Sequence, residues 1–325
     1  MAETIDIKTK KLLPVSTDIK FDKSLLLETL EQSILNNWDT WGKFQEAWTN
    51  RAYNTFKDLD KYIVIIYLFS KYWQNLSSKF QYLSMDEFYD TEIVRIPKIN
   101  LIQISNDLNI PKETIRRKVN ELQNQKILVR EGKSIIFNKY GMDFQKPSET
   151  IDLLASFLEK KSNVLKDNTW FGDHLTKEQI KIFIIVWLRF FKLQIPFLIR
   201  NRNTFRDLET WIIWGNIALS HQYQLHQAKK NDLIKEDIKI HNYFKNVVNV
   251  KLSRGINASS ISDISRIPRA TVIRKLQWLV KQDIIKRNNN LEYQMKNSGK
   301  LNKRINENFI LNQSFVADFL SDVFD

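Results

Sequence analysis

The sequence predicts a mainly α protein in which one unit, two short helices followed by a β-hairpin, occurs twice. Three observations support this prediction. Only 7 glycines and 6 prolines occur among 325 residues, which is too few for the many turns of an all-β sandwich. A segment of 21 residues recurs along the chain, as in proteins built from repeated units. Apolar residues in both copies of that segment follow the period of an amphipathic helix.

The longer of two repeated blocks is 110–130, IPKETIRRKVNELQNQKILVR, and its second copy is 267–287, IPRATVIRKLQWLVKQDIIKR. At a constant offset of 157 residues, nine of the 21 positions are identical. A shorter block lies upstream, where NTFKDLD at 54–60 matches NTFRDLE at 203–209 at an offset of 149. Two blocks in the same order indicate an internal duplication.

Each shorter block contains a threonine followed three residues later by an aspartate, which is the spacing of a capping box. In that motif the hydroxyl and the carboxylate satisfy backbone N–H groups at the start of a helix. We therefore expect one helix to begin at Thr55, with Asp58 in its first turn, and another at Thr204, with Asp207.

Each longer block and the residues before it predict two short helices joined by a tight turn. Asparagine suits the cap of the first helix, and proline suits the start of the second because its missing N–H is not needed there. The predicted helices are 101–108 and 111–125 in the first unit, and 258–265 and 268–282 in the second.

A β-hairpin is predicted after the second helix of each unit. Strands 127–130 and 134–137 flank a turn that contains Gly132. Strands 284–287 and 291–295 flank three consecutive asparagines in the second unit. Helix, turn, helix and hairpin in this order is the arrangement of a winged helix-turn-helix.

The two longer blocks resemble the second half of winged helix-turn-helix domains of the MarR and IclR types of transcriptional regulator. In those regulators a helix that starts with serine or proline and has a Thr-hydrophobic-x-Arg core enters the major groove of DNA. The resemblance covers roughly 40 residues in each unit. It implies two tandem DNA-binding modules related by a pseudo-two-fold duplication. The charged wing pattern of the MarR type is absent, so the resemblance is to the superfamily.

The duplication divides the chain into three predicted parts. The first helical and winged helix-turn-helix module is 1–146, and the second is 147–297, with Pro147 and Ser148 at the boundary. A C-terminal helical tail is 298–325. Apolar residues in the tail have helical spacing, and we expect that helix to pack on the body of the protein.

Positive charge is concentrated in two segments of the chain. The net charge is +13. Lys and Arg exceed Asp and Glu by 5 in residues 98–140 and by 8 in residues 251–300, so the rest of the chain is neutral. These two basic segments coincide with the two predicted units. Neutralisation of DNA phosphates by Lys and Arg explains that coincidence.

Residues for DNA contact follow from the outer faces of the second helices and from the wings. Arg117, Arg274, Asn120 and Gln277 are the best candidates for reading bases or clamping phosphates, because Arg binds guanine and Asn or Gln bind adenine in bidentate fashion. The Lys and Arg side chains of the wings are candidates for contacts with DNA phosphates. The predicted contacts are Lys112, Thr114, Arg116, Arg117, Asn120, Arg130, Lys133, Arg269, Thr271, Arg274, Gln277, Lys286 and Arg287.

Several classes of protein are excluded or disfavoured. Absence of cysteine excludes disulfide scaffolds, iron–sulfur clusters and thiol nucleophiles. No catalytic motif or histidine metal pattern is present, so we expect no enzyme activity, no metal and no cofactor. A small-molecule effector is compatible with the fold, but its site is not readable from the sequence. Residues 1–13 lack a long apolar stretch, which argues against a signal peptide.

The functional hypothesis is a sequence-specific double-stranded DNA-binding regulator of transcription that acts as an intramolecular pseudo-dimer. It is expected to be cytoplasmic, without a membrane partner, and either a monomer or a homodimer. Two alternatives remain open. One is a plasmid or phage type of replication initiator with tandem winged helices, and the other is a winged-helix scaffold for protein interactions.

Overall fold

The computed structural model describes the following residues: 23–32, 34–75, 84–96, 99–168, 184–230, 254–296 and 298–324. Thirteen α-helices and five short strands occur within these ranges. The protein is therefore mainly α, as the sequence predicts. The N-terminal stretch 1–13 lies outside the described residues.

The elements of the N-terminal half are α1 (Lys23–Gln32), α2 (Ile34–Phe56), α3 (Leu59–Asn75), α4 (Met85–Tyr89), β1 (Ile93–Ile96), α5 (Leu101–Leu108), α6 (Lys112–Asn124), β2 (Val129–Glu131), β3 (Ser134–Asn138), α7 (Lys139–Gln145) and α8 (Ser148–Asn168). Those of the C-terminal half are α9 (Ile184–Phe205), α10 (Leu208–Lys230), α11 (Ala258–Ser265), α12 (Arg269–Lys281), β4 (Ile285–Arg287), β5 (Tyr293–Met295) and α13 (Leu301–Phe324). We call residues 99–138 the first unit and residues 256–295 the second unit.

The predicted short helices are present in both units, with the predicted caps. The side chain of Asn100 accepts a hydrogen bond from the backbone N–H of Gln103, and that of Asn257 accepts one from Ser260. The following turn is also the same, because Asn109 and Arg266 both adopt a left-handed conformation with φ of 50° and 59°. The helix-and-turn predictions for 101–125 and 258–282 are therefore confirmed to within a residue or two.

The predicted first hairpin is confirmed, and a third strand joins it. In this sheet β3 lies between β1 and β2, and both neighbours are antiparallel to it. The turn is at Gly132, whose φ of +59° favours glycine. The second unit has a weaker counterpart of β1, a bridge in which Ile256 and Tyr293 exchange backbone hydrogen bonds of 3.1 and 2.8 Å.

The second hairpin has shorter strands than predicted, because β4 begins at Ile285 and β5 at Tyr293. Five residues form the loop between them. The side-chain oxygen of Asn288 accepts hydrogen bonds from the backbone N–H groups of Asn290 and Glu292. Leu291 has a φ of 62°, a conformation outside an extended strand, which explains why the predicted strand 291–295 starts later.

The capping-box prediction for the shorter blocks is wrong. Helix α2 continues through Thr55 to Phe56, and α9 continues through Thr204 to Phe205. Thr204 Oγ1 instead donates a hydrogen bond to the carbonyl oxygen of Arg200, at 2.9 Å. Both phenylalanines are buried in the core, and this burial favours one more helical residue over a cap at threonine.

Aspartate is the cap in each shorter block. Asp58 Oδ1 accepts a hydrogen bond from the backbone N–H of Asp60 at 2.8 Å, and Asp207 Oδ1 accepts one from Thr210 at 2.8 Å. The residue before each aspartate has a positive φ. Each block is therefore a tight corner between two long helices, α2 and α3 in the first case and α9 and α10 in the second.

Aromatic contacts between the two halves occur in reciprocal pairs. Trp41 of α2 packs against Phe197 of α9 with ring centroids 5.6 Å apart. Trp48 of α2 packs against Phe190 of α9 at 4.7 Å. At the offset of 149 that relates the shorter blocks, Phe190 is equivalent to Trp41 and Phe197 is equivalent to Trp48. Each tryptophan therefore packs against the equivalent of the other.

A buried pair of glutamines lies between the same two helices. Gln45 and Gln194 also differ by 149 residues, and each amide donates to the other, at 2.8 and 2.9 Å. Helix packing follows the same rule, because α2 packs against α10 while α9 packs against α3. Reciprocity of this kind is the property of a two-fold interface, in which residue i contacts j and j contacts i.

The C-terminal helix α13 packs on the body of the protein, as expected for the tail. It contacts α9 and α1, and Phe309, Phe319 and Leu320 are buried. Asn308 donates a hydrogen bond to Thr204 Oγ1 at 2.9 Å. One hydrophobic cluster contains residues of α13, of both halves and of both units.

Replacing Gly141 with alanine is expected to lower the free energy of unfolding by about 1–3 kcal/mol, because overpacking forces the chain to shift. A Cβ built on Gly141 would lie 2.0 Å from the carbonyl oxygen of Ile127, which is rigid backbone. Gly215→Ala is the matched control, since a Cβ there meets nothing within 4 Å. Urea unfolding compares the two variants, and a Gly141→Ala protein as stable as the wild type would contradict the prediction.

Candidate nucleic-acid interface

Helices α6 and α12 are positioned by one apolar face each. Ile115, Val119 and Leu122 of α6 are fully buried, and this helix packs on α3 and α5. The equivalent face of α12 packs on α10 and α11. Because the apolar stripe covers only part of the circumference, the opposite polar faces of α6 and α12 are left exposed.

A buried lysine lies within each apolar face. Lys118 is only 7% exposed and Lys275 only 9%, and the two occupy equivalent positions of the longer blocks. The Nζ atom of Lys118 lies 2.5 Å from Asp58 Oδ2, and that of Lys275 lies 2.6 Å from Asp207 Oδ1. These two ion pairs join the longer block to the shorter block in each half, although the blocks recur at different offsets.

Each ion pair includes a second carboxylate. Lys118 lies 3.2 Å from Glu121, and Lys275 lies 3.2 Å from Glu209. Burial opposes ionisation of Asp207, but hydrogen bonds from Lys275 and Thr210 outweigh it, so the pKa of Asp207 is lowered. Burial likewise opposes the charged form of Lys118, yet its carboxylate partners dominate and its pKa is raised. These pKa shifts favour the charged forms of Asp207 and Lys118.

The structure places the predicted contact residues on the outer surface of the two units. Thr114 and Thr271 are partly buried, and the other members of the set are exposed. On the helices these exposed residues are Lys112, Arg116, Arg117 and Asn120 of α6, and Arg269, Arg274 and Gln277 of α12. In the hairpins they are Arg130, Lys133, Lys286 and Arg287.

The exposed cations of α6 have acidic neighbours. Arg116 donates two hydrogen bonds to Glu113, of 2.8 and 2.5 Å. Arg117 Nε lies 3.8 Å from Glu121 Oε1. These exposed pairs are weak, but the carboxylates reduce the positive potential of the α6 face.

The equivalent face of α12 lacks those carboxylates. Alanine and tryptophan replace Glu113 and Glu121 at the equivalent positions. Trp278 instead lies under the guanidinium of Arg206, 5.5 Å from its ring centre. Within the described ranges Arg274 has no ion-pair partner. The α12 face is therefore the more positive of the two.

The hairpins add further cations that sequence reasoning missed. Arg95 of β1 forms a 2.9 Å ion pair with Glu131 of β2, across the central strand β3 of the first sheet. Arg254 is exposed next to the second hairpin, where its carbonyl oxygen accepts hydrogen bonds from Gln224 and Gln294. Strand β1 was not predicted, and for that reason Arg95 was not assigned to the wing.

The described part of the chain contains no group of three or more His, Asp and Glu side chains placed to hold a metal ion. None of its helices is both long and apolar enough to cross a membrane. Comparison of the chain with protein-family models, curated proteins and solved structures gives no match.

Proposed function

We propose that the chain is a sequence-specific double-stranded DNA-binding regulator of transcription. The observation that supports this proposal most is that the excess positive charge lies in the same two segments as the exposed faces of α6 and α12. The whole net charge of +13 arises from residues 98–140 and 251–300, and the helices α6 and α12 expose polar faces within these two segments. A surface that neutralises phosphates requires this concentration of Lys and Arg.

Each unit is interpreted as a winged helix-turn-helix. Helices α6 and α12 correspond to the helices that enter the major groove, and the hairpins correspond to wings that lie along the backbone. Arg117 and Arg274 suit guanine, while Asn120 and Gln277 suit adenine. The exposed wing cations bind phosphates and fix the register of the protein on the duplex.

The reciprocal contacts between α2 and α9 support a pseudo-dimer within one chain. Gln45 and Gln194 are equivalent residues that bind each other, as residues on a two-fold axis do. Two-fold symmetric regulators place two identical helices on palindromic DNA. A duplicated chain reproduces that arrangement with two similar but distinct helices.

The two half-sites are expected to differ in sequence. Arg116 of α6 is replaced by Ile273 in α12. An arginine suits guanine or a phosphate, whereas an apolar side chain suits the methyl group of thymine. An operator with two unequal halves follows from this difference.

Selection of bound sequences from random duplex DNA tests the function. We expect enrichment of two unequal half-sites separated by about one helical turn, ~34–36 Å. Absence of enrichment together with salt-insensitive binding of a protein would instead support the scaffold alternative. Mapping of the enriched sites to a replication origin rather than to promoters would support the initiator alternative.

Alanine at Lys133 and at Lys286 is expected to weaken DNA binding equally for all sequences. Both lysines are exposed in the hairpins, where a phosphate contact contributes counterion release. Each substitution should reduce the slope of log K against log salt concentration by about 1. Fluorescence anisotropy over a salt series measures the slope, and an unchanged slope would remove these residues from the interface.

A further inference from the structure

Two exposed cations lie at the corners that precede α3 and α10, outside both basic segments of the sequence. They are Lys57 and Arg206, which are equivalent at the offset of 149. Both are exposed, and within the described ranges neither belongs to an ion pair. The next residue of each corner, Asp58 or Asp207, binds a lysine of α6 or α12. The fold therefore places each cation near one of these two helices.

The backbone at both corners favours a residue other than lysine or arginine. The φ angles of Lys57 and Arg206 are 52° and 72°, in the left-handed region that glycine and asparagine adopt most readily. Both copies nevertheless have a long basic side chain at this position. Backbone geometry does not account for that choice, so the charge of the side chain is the better explanation.

An aromatic ring holds Arg206 against the exposed face of α12. The guanidinium lies over Trp278, 5.5 Å from the ring centroid, and arginine stacks on aromatic rings in this way. Trp278 follows Arg274 by four residues, so these two side chains are neighbours on one side of the helix. The stack therefore brings Arg206 close to the arginine that is the best candidate for a base contact in the second unit.

The position of the stack along α12 matches the edge of a major groove. Trp278 is nine residues after Arg269, which starts the helix, and this separation is about 13.5 Å at 1.5 Å per residue. The major groove of DNA is about 12 Å wide. When the first turn of α12 lies against base edges, its third turn and Arg206 therefore lie near the phosphates that border the groove.

The carboxylates of the same corner are balanced by cations. Asp207 and Glu209 lie 2.6 and 3.2 Å from the Nζ atom of Lys275. The charges of these three residues and of Arg206 cancel, so Arg206 is the cation that keeps the corner from repelling a phosphate. Arg274, which is exposed on the adjacent turn of α12, then makes the surface positive.

The equivalent corner of the first unit lacks this arrangement. Glu121 occupies the position equivalent to Trp278, and it lies 3.2 Å from Lys118 and 3.8 Å from Arg117. A carboxylate at this position repels phosphate, and no ring contact holds Lys57 among the described residues. Lys57 is therefore the matched internal control for Arg206.

We propose that Arg206, stacked on Trp278, binds a backbone phosphate of DNA at the border of the half-site that α12 contacts. This inference rests on the proposed function and extends its interface beyond the two basic segments. The planar guanidinium donates two hydrogen bonds to one phosphate, while the indole ring fixes its plane. A contact of this kind positions the duplex and selects no base.

Asparagine at residue 206 separates a phosphate contact from a structural role. Because asparagine suits a left-handed φ, Arg206→Asn is expected to leave the midpoint of urea unfolding unchanged or higher. The same variant should bind the duplex selected by the wild type about threefold to tenfold more weakly, with the slope of log K against log salt concentration reduced by about 1. Lys57→Asn should change the affinity by less than about twofold. Wild-type affinity of Arg206→Asn, or equal losses for the two variants, overturns the proposal.

Neutral phosphates locate the contact on the duplex. Methylphosphonate replaces one phosphate at a time in the selected duplex, and the affinities of the wild type and of Arg206→Asn are compared. The half-site of α12 is the one at which Arg274→Ala relaxes the selection. At its border we expect a phosphate whose neutralisation weakens the wild type but not Arg206→Asn, because both changes remove the same contact. Losses that add at every position overturn the proposal.

The two proposals fail in different ways. A wild-type chain that binds no duplex DNA overturns the proposed function and this inference together. DNA binding by the wild type that is indifferent to Arg206 overturns this inference alone.

Discussion

Alanine in place of Arg274 is expected to lower the affinity for the selected operator by about 1–3 kcal/mol, roughly fivefold to 150-fold. The guanidinium is exposed on α12 and has no carboxylate partner within the described ranges. Its hydrogen-bonding groups are therefore available to a guanine edge or a phosphate. Fluorescence anisotropy at one fixed salt concentration measures the loss.

The equivalent substitution in the first unit, Arg117→Ala, is expected to have a smaller effect. Arg117 lies 3.8 Å from Glu121, so a part of its charge is already neutralised before DNA binds. Because the two helices belong to different units, the two losses should add in the Arg117→Ala/Arg274→Ala double variant. The affinity losses of the two single variants also show whether both units contact DNA, because each loss reports on one unit.

Two control variants separate specific contact from general charge. Lys160→Ala removes an exposed cation of α8 that lies outside both basic segments, and it should leave operator affinity within about twofold of the wild type. Glu113→Ala removes the carboxylate that pairs with Arg116 on α6, and it should increase the affinity for the operator. Equal losses for Arg274→Ala and Lys160→Ala would contradict the assignment of α12 to the interface.

The helical part of each unit was predictable because its signals are local. Asn100 and Asn257 cap a helix, and Pro111 and Pro268 precede one, through contacts that span only a few residues. Strand β1 had no such signal. It has four residues with alternating burial, and its stability comes from pairing with β3, about 40 residues later in the chain.

The buried lysines could be recognised in the sequence only by combining two properties, their identity in both copies and their position on an apolar helical face. Lys118 is identical in both copies of the longer block, and its position falls on the same helical face as Ile115 and Leu122. A charged residue on an apolar face requires a partner, but the partner, Asp58, belongs to a different block at a different offset. Tertiary structure was required to join them.

The glutamine pair shows a different limit. Gln45 and Gln194 have the offset of 149, but each lies in a long amphipathic helix in which many polar residues face solvent. Their burial depends on the packing of α2 against α9. No periodicity within a single helix identifies the polar residue that lies at such an interface.

Substitution of Lys275 by methionine is expected to lower the free energy of unfolding by about 2–3 kcal/mol. Removal of one partner from a fully buried ion pair costs ~3–5 kcal/mol. The Asp207 side chain is 44% exposed, so water stabilises a part of its charge and the lower figure applies. Without Lys275, the adjacent carboxylates of Asp207 and Glu209 also repel each other.

A double-mutant cycle with Asp207→Asn isolates the ion pair from the loss of packing. We expect Lys275→Met/Asp207→Asn to be less destabilised than the sum of the two single variants, because no unpaired carboxylate remains at residue 207. Lys303→Met is the exposed control, since Lys303 lies 4.0 Å from Glu307 with 87% of its side chain exposed. Its effect should stay within about 0.5 kcal/mol. Urea unfolding measures all four variants.

The pH dependence of this cycle has a definite sign. Because the pKa of Asp207 is lowered in the folded protein, its ion pair contributes stability above the unfolded carboxyl pKa of ~3.9. That contribution is lost as the pH falls through the lower folded value. The difference in stability between the wild type and Lys275→Met should therefore be constant between pH 5 and pH 7, on the order of 2–3 kcal/mol. It should shrink below about pH 4, and a difference that stays the same in acid would show that Lys275 acts through packing rather than charge.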